Sequence, residues 1–230
     1  KVTIDFVVNH TGIDNEWFKK ALKNEEPYKS YYIFSDKYTN INEISPFGGR
    51  LWNQKDGRYY YSIFWEGMPD LNMRNPKTRD AIKEAAKFWI DKGVDGFRLD
   101  ATKHIDDEDR EITHGFWKEF NCYVKNINKD FFLVGEAWEE DPEVVAPFLG
   151  DMDSSFDFGM KSIIRSLGNG EPYPLTKNIA DTVSAYKKVN ENYIDTIFIG
   201  NHDMNRIASE YNGDTIKLKL AAAILFTLPG

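Results

Sequence analysis

Alternation is the feature that most constrains how this chain can fold: short runs rich in β-branched and aromatic residues are separated by stretches with helical period. Five runs read as buried strands, Val2–Val8, Gly96–Ala101, Phe131–Ala137, Ser155–Phe158 and Ile194–Gly200, each bounded by turn or helix signals. The clearest helix opens on Asn75 as cap with Pro76 in its first turn. It runs through Ile82, Ala85, Ala86, Trp89 and Ile90 and stops at Gly93. A second helix places Ile112, Phe116, Phe120, Tyr123, Val124 and Ile127 on one face. Strands alternating with helices of this length require parallel pairing through helical crossovers. The expected class is therefore α/β, as an open doubly wound sheet or a (β/α)₈ barrel.

Residues 11–72 break the alternation and carry no sustained period, so they read as an inserted irregular subdomain. The alternating body is then 1–10 and 73–230. The insert holds 14 of the 34 aromatic residues between Trp17 and Trp65. Such rings can stack on sugar faces, but a small irregular domain also needs them for its own core, and core is the favoured reading of any one ring.

A net charge of −8 argues against nucleic acid or an anionic membrane as partner, and an uncharged substrate fits better. No run reaches the roughly 18 apolar residues of a spanning helix. The single cysteine, Cys122, excludes an internal disulfide framework and reads as a packing residue on a helix. No GxGxxG or phosphate-binding glycine loop follows a strand, which counts against a cofactor-binding open sheet.

In parallel α/β proteins the C-terminal strand ends line the site. Four ends here carry polar residues: Asn9-His10, Asp100, Glu136 and His202-Asp203. Side chains alternate along a strand, so Arg98 and Asp100 share one face and can pair. An ion-paired carboxylate suits a nucleophile, whereas Glu136, beside Ala137 and Trp138, suits an acid. Taken singly, each carboxylate reads better as a helix cap or an ion-pair member than as a catalytic group. Three at one sheet end would repel one another, an arrangement expected chiefly where function requires it.

These residues resemble a known family. Asp5-Phe6-Val7-Val8-Asn9-His10, Gly96-Phe97-Arg98-Leu99-Asp100-Ala101-Thr102-Lys103-His104, Gly135-Glu136-Ala137-Trp138 and Phe198-Ile199-Gly200-Asn201-His202-Asp203 are similar, in order and strand placement, to four sequence regions of the α-amylase family, glycoside hydrolase family 13. Met68-Pro69-Asp70-Leu71-Asn72 resembles its fifth, and Thr227-Leu228-Pro229-Gly230 its approach to the eighth strand. The resemblance implies a (β/α)₈ catalytic barrel of which strands three to seven are present, with the insert after strand three. Unpaired sheet edges would invite aggregation, so the chain reads as a piece of a longer protein.

By the same resemblance, Asp100 is the nucleophile, Glu136 the acid/base and Asp203 the third carboxylate of a retaining hydrolase. His10 and His202 would bind the sugar, Arg98 would hold Asp100, and Lys103-His104 resembles members acting on α-1,4-glucans. Met-Pro-Asp-Leu-Asn looks intermediate between oligosaccharide-trimming and neopullulanase-like members. The implied substrate is starch or a maltooligosaccharide. The alternatives are an α-glucosidase, an oligo-1,6-glucosidase or a transglycosylase of the family, and an inactive carbohydrate-binding barrel. Many members hold a structural Ca²⁺, for which Asn9, Asp70 and the backbone carbonyl of His104 are the candidate ligands, with a further carboxylate expected from residues 11–67. A polymer cannot enter cells, which favours an extracellular or cell-surface location, though maltodextrin-trimming relatives work in the cytoplasm.

Overall fold

The five expected strands form, four of them shorter than the run that announced them and one shifted by a residue. The computed structural model describes residues 1–230, which divide into two units, Lys1–Phe131 and Phe132–Gly230.

In the first unit the order is β1 (Thr3–Phe6), α1 (Glu16–Leu22), β2 (Trp52–Lys55), β3 (Arg58–Tyr61), α2 (Pro76–Asp91), β4 (Gly96–Leu99) and α3 (Arg110–Ile127). β1 and β4 pair in parallel, Thr3 opposite Gly96 and Phe6 opposite Leu99. The crossover helix α2 begins as expected: the Asn75 side chain accepts from the Lys77 N–H and Pro76 occupies the first position. It ends at Gly93, whose φ of +88° is the left-handed step that closes a helix.

The core of this unit is aromatic. Phe6 stacks on Phe97 at 4.4 Å, Phe97 meets Phe131 edge-on at 4.7 Å, and Phe116 and Phe120 of α3 pack at 5.8 Å. Burying each such ring stabilises the fold by about 1.5–3 kcal/mol. Trp117, absent from the expected face of α3, is buried because its indole N–H finds the Thr102 carbonyl at 2.9 Å. Three apolar assignments are corrected. Trp89 is 42% exposed and Ile127 39%, because the buried stripes are narrower than the apolar pattern. Cys122 is also exposed, on the outer side of α3.

Residues 11–72 lie within this first unit and contain more regular structure than their period suggests. β2 and β3 form an antiparallel hairpin whose two turn residues, Asp56 and Gly57, are both left-handed, at φ 50° and 78°. Some of the aromatics here build a core, with Phe18, Tyr31, Tyr32 and Tyr60 buried, whereas Tyr38, Phe47 and Trp65 are exposed. Phe18 lies edge-on to Tyr32 at 5.0 Å and to Tyr60 at 4.9 Å, while Arg58 covers Phe34 at 3.6 Å.

The second unit runs β5 (Phe132–Gly135), α4 (Pro142–Val145), β6 (Ser154–Asp157), α5 (Phe158–Gly168), α6 (Leu175–Val189), β7 (Ile194–Ile197), α7 (Ile207–Glu210) and α8 (Thr215–Thr227). β5, β6 and β7 are parallel, with Gly135 opposite Ser155 and Ser155 opposite Asp195. Phe158, expected in the strand, instead opens α5, because the Asp157 carboxylate caps that helix through the Met160 N–H at 2.7 Å. No helix is long and apolar enough to cross a membrane.

Candidate active site

In the first unit, antiparallel bridging ties the end of β1 to residues 69–71. The Leu71 N–H donates to the Asn9 carbonyl at 2.8 Å, the Thr11 N–H to the Pro69 carbonyl at 3.1 Å, and His10 pairs with Asp70. β4 lies beside β1, so Asp100 emerges next to the same end. Arg98 Nη1 donates to Asp100 Oδ1 at 2.5 Å and to Asp5 Oδ1 at 2.8 Å, which confirms the shared face read from strand alternation. The chain then turns sharply. Ala101 adopts the left-handed region at φ 48°, a conformation costing about 1–2 kcal/mol for a residue with a Cβ, and starts the 3₁₀ turn Thr102–His104.

That turn carries Lys103 and His104. His104 Nδ1 shares a hydrogen bond with Asp107 Oδ1 at 2.7 Å, and its ring meets the edges of Phe47 and Phe64, each at 5.3 Å. Phe64 also lies 5.6 Å from the His10 ring. Burial pushes the His10 imidazole below its usual range, and the charge of Asp100 opposes that shift. The unit therefore gathers His10, Arg98, Asp100 and His104, with Phe47 and Phe64 as ring neighbours that the sequence did not single out.

The candidate cation ligands are also together. Asn9 is buried, donates through Nδ2 to the His104 carbonyl, and bonds through Oδ1 to His10 Nδ1 at 3.0 Å. Asp70 is 3% exposed and accepts from the Ile63 N–H at 3.3 Å. Burial raises its carboxyl well above the usual range, while a hydrogen bond from Asn9 acts the other way. A cavity of about 270 Å³ lies beside Asp70 and His104. The acidic residues lining it besides Asp70 are Asp106, Asp107 and Glu108, from the segment before α3, and none comes from residues 11–67. No three Asp, Glu, His or Cys side chains are placed to hold a metal ion, so any such site would depend on amide and backbone oxygens as well.

In the second unit, Glu136 follows β5 and is 7% exposed. Asn201 Nδ2 donates to Glu136 Oε1 at 3.2 Å, and Asn201 Oδ1 accepts from the Asp203 backbone N–H at 3.0 Å. His202 and Asp203, both exposed, meet at 3.2 Å between Nε2 and Oδ2. Trp138 stacks on Phe158 at 4.7 Å. Asn201 was visible only as the residue preceding His202-Asp203; nothing in the sequence marked its amide as a partner of Glu136. Asp100 belongs to the first unit, Glu136 and Asp203 to the second.

The family model for the alpha amylase catalytic domain matches residues 1–230. Alpha-amylase 3 of Dictyoglomus thermophilum is 40% identical across all of this chain and 45% of its own length. A 4-alpha-glucanotransferase of Thermotoga maritima is 34% identical across all of this chain and half of its own. A crystal structure of an alpha-amylase from H. orenii superposes with a TM-score of 0.91 at 36% identity, covering all of this chain and 48% of that one. The α/β class and the partial (β/α)₈ barrel expected from the sequence are thus the fold this chain adopts. The chain spans about half the length of the curated relatives it matches.

Proposed function

The chain belongs to the α-amylase family, and on that premise we propose that the protein carrying it is a retaining glycoside hydrolase acting on α-1,4-glucosidic bonds of starch or maltooligosaccharides. Asp100 attacks the anomeric carbon as the glycosidic C–O bond breaks, and Glu136 gives its proton to the departing oxygen. Water then attacks the same carbon, the bond to Asp100 breaks, and the water proton passes to Glu136. Asp203 binds ring hydroxyls and, with Asp100, places negative charge near the oxocarbenium-like transition state. His10 and His202 bind the sugar to be transferred, and Lys103 and His104 contact the leaving sugar.

The observation that carries this reading is the unequal preparation of two carboxylates at successive strand ends. Asp100 is ion-paired with Arg98 at 2.5 Å, as suits a nucleophile, while Glu136 is 7% exposed, a burial that suits a carboxyl that must carry a proton. Transfer to a second sugar instead of water is the second reading, favoured by the likeness to the Thermotoga glucanotransferase, since both outcomes share one covalent intermediate. A polymeric substrate favours a location outside the cell or on its surface. Reducing-end release from soluble starch by the full-length protein, with Asp100→Asn and Glu136→Gln beside it, tests the assignment.

Calcium fits the first unit's donors in kind, since the Asp70 carboxylate and the His104 carbonyl are hard oxygen ligands, and Asn9, whose Nδ2 faces both, would present its amide oxygen once the amide turned over. A bound ion would supply structural charge that offsets the burial of Asp70. Asn9, Asp70 and His104 would then hold the turn after Asp100 against residues 69–71.

A further inference from the structure

We infer that Arg165 is a positioning residue that holds the segment bearing His202 and Asp203 in its working place. This rests on the sugar-binding and charge-stabilising role proposed for Asp203. The segment has little of its own to hold it, since residues 198–206 are irregular and both His202 and Asp203 are exposed. The Asn201 side chain accepts from the Asp203 N–H at 3.0 Å, and the Asn201 backbone carbonyl from the Met204 N–H at 3.4 Å. These bonds shape a turn without fixing where the turn stands.

Arg165, on α5, supplies that anchor. Its Nη1 donates to the Ile199 carbonyl at 3.1 Å and lies 3.9 Å from Met204 Sδ, so one nitrogen touches the chain on both sides of the turn. Its Nη2 is ion-paired with Glu210 of α7, the helix that follows the segment. The Arg165 carbonyl accepts from the Tyr211 hydroxyl at 2.7 Å, and Tyr211 crosses α5 at Gly168, where a Cβ would collide with that hydroxyl. The Arg165 side chain is 15% exposed, so breaking these contacts would strand a mostly buried cation. A guanidinium offers five donors in one plane, whereas the point charge of an ammonium cannot serve the Ile199 carbonyl and Glu210 in that fixed geometry. A small displacement of Asp203 weakens the stabilisation of the developing positive charge more than it weakens ground-state binding, so the loss falls on kcat more than on KM.

The test is run in the full-length protein on α-maltosyl fluoride, whose reactive leaving group keeps slow variants measurable. Arg165→Lys is expected to lower kcat about 10–30-fold, with KM changing less than about threefold. In an Asp203→Asn background the same change should cost less than about threefold, because the group being positioned is already gone. Arg165→Ala should cost more, and added guanidinium, but not the same concentration of sodium chloride, should restore part of its rate. Rates are taken per folded molecule, from the thermal melting curve of each variant; where Arg165→Ala does not fold, Arg165→Lys decides. An equal loss in both backgrounds, or a lowered melting temperature with wild-type turnover, would overturn the inference. A wild-type protein inactive on the fluoride, or an Asp203→Asn variant with wild-type kcat, would instead sink the reading on which it rests.

Discussion

Arg98 reaches Asp100 at 2.5 Å and Asp5 at 2.8 Å through the same guanidinium nitrogen, Nη1, so the orientation of the proposed nucleophile is set across the β1–β4 pair. A lysine keeps the charge but loses the planar geometry. Arg98→Lys is expected to lower kcat by about 10–100-fold, the scale of a small misplacement of a reacting group. Arg98→Ala should cost more, with KM changing less than kcat in both. Steady-state kinetics on maltoheptaose checks this, and an unchanged kcat in Arg98→Ala would contradict it.

Asp157 and Asp195 project from one face of the β6–β7 pair, since Ser155 is opposite Asp195 and Asp157 opposite Ile197. Asp157 Oδ2 and Asp195 Oδ1 are buried without hydrogen-bond partners. Burial, with the charge of Asp157 added, pushes the Asp195 carboxyl up to about 8 from an ordinary 3.8. The folded state then holds a proton that the unfolded chain has lost. Stability is fully present below about pH 4, falls by up to about 1.4 kcal/mol per pH unit, and levels off above about pH 8. Asp195→Asn should flatten this decline relative to wild type in urea titrations from pH 5 to 9. Parallel curves for the two proteins would refute the retained proton on Asp195.

Phe120 is fully buried between Phe6, at 6.0 Å, and Phe116, at 5.8 Å. Phe120→Ala should cost about 3–5 kcal/mol through lost burial and the cavity left behind. Phe120→Leu should cost clearly less. Activity per folded molecule should hold in both, because the ring's aromatic neighbours are Phe6, Phe97, Phe116 and Trp117, none of which is placed in the catalytic machinery. Denaturant midpoints and active-site titration together measure the two effects.

If calcium binds where Asn9, Asp70 and the His104 carbonyl converge, chelation will lower the melting temperature and added calcium will restore it. A ligand at 100 times its Kd adds about 2.7 kcal/mol. Asp70→Asn should remove the calcium response. A melting temperature indifferent to chelator and to calcium would exclude the ion.

Much of this architecture was legible because its signals are local. Asn75-Pro76 and Gly93 mark both ends of α2, and the apolar runs locate every strand of the parallel pairs. Strand alternation was enough to place Arg98 beside Asp100. Long-range contacts were harder to read. Trp117 falls outside the apolar face read from the sequence, and it is the Thr102 carbonyl that gives its N–H a buried partner. The hairpin at Asp56-Gly57 had a recognisable two-residue turn, but its strands, Trp52–Lys55 and Arg58–Tyr61, are too short and too polar to show a period. Asn201 lies 65 residues from Glu136, and Phe47 some 57 from His104, so neither contact leaves a trace in spacing.

The most direct measurement follows reducing-end release from soluble starch, and from a maltoheptaoside blocked at its non-reducing end, by the full-length protein and its Asp100→Asn and Glu136→Gln variants. The account predicts cleavage of both substrates by the wild type and a loss of at least about 1,000-fold in each variant, the scale of removing a nucleophile or a general acid. Folded wild-type protein that cleaves no glucan, or variants that keep wild-type rates, would contradict it.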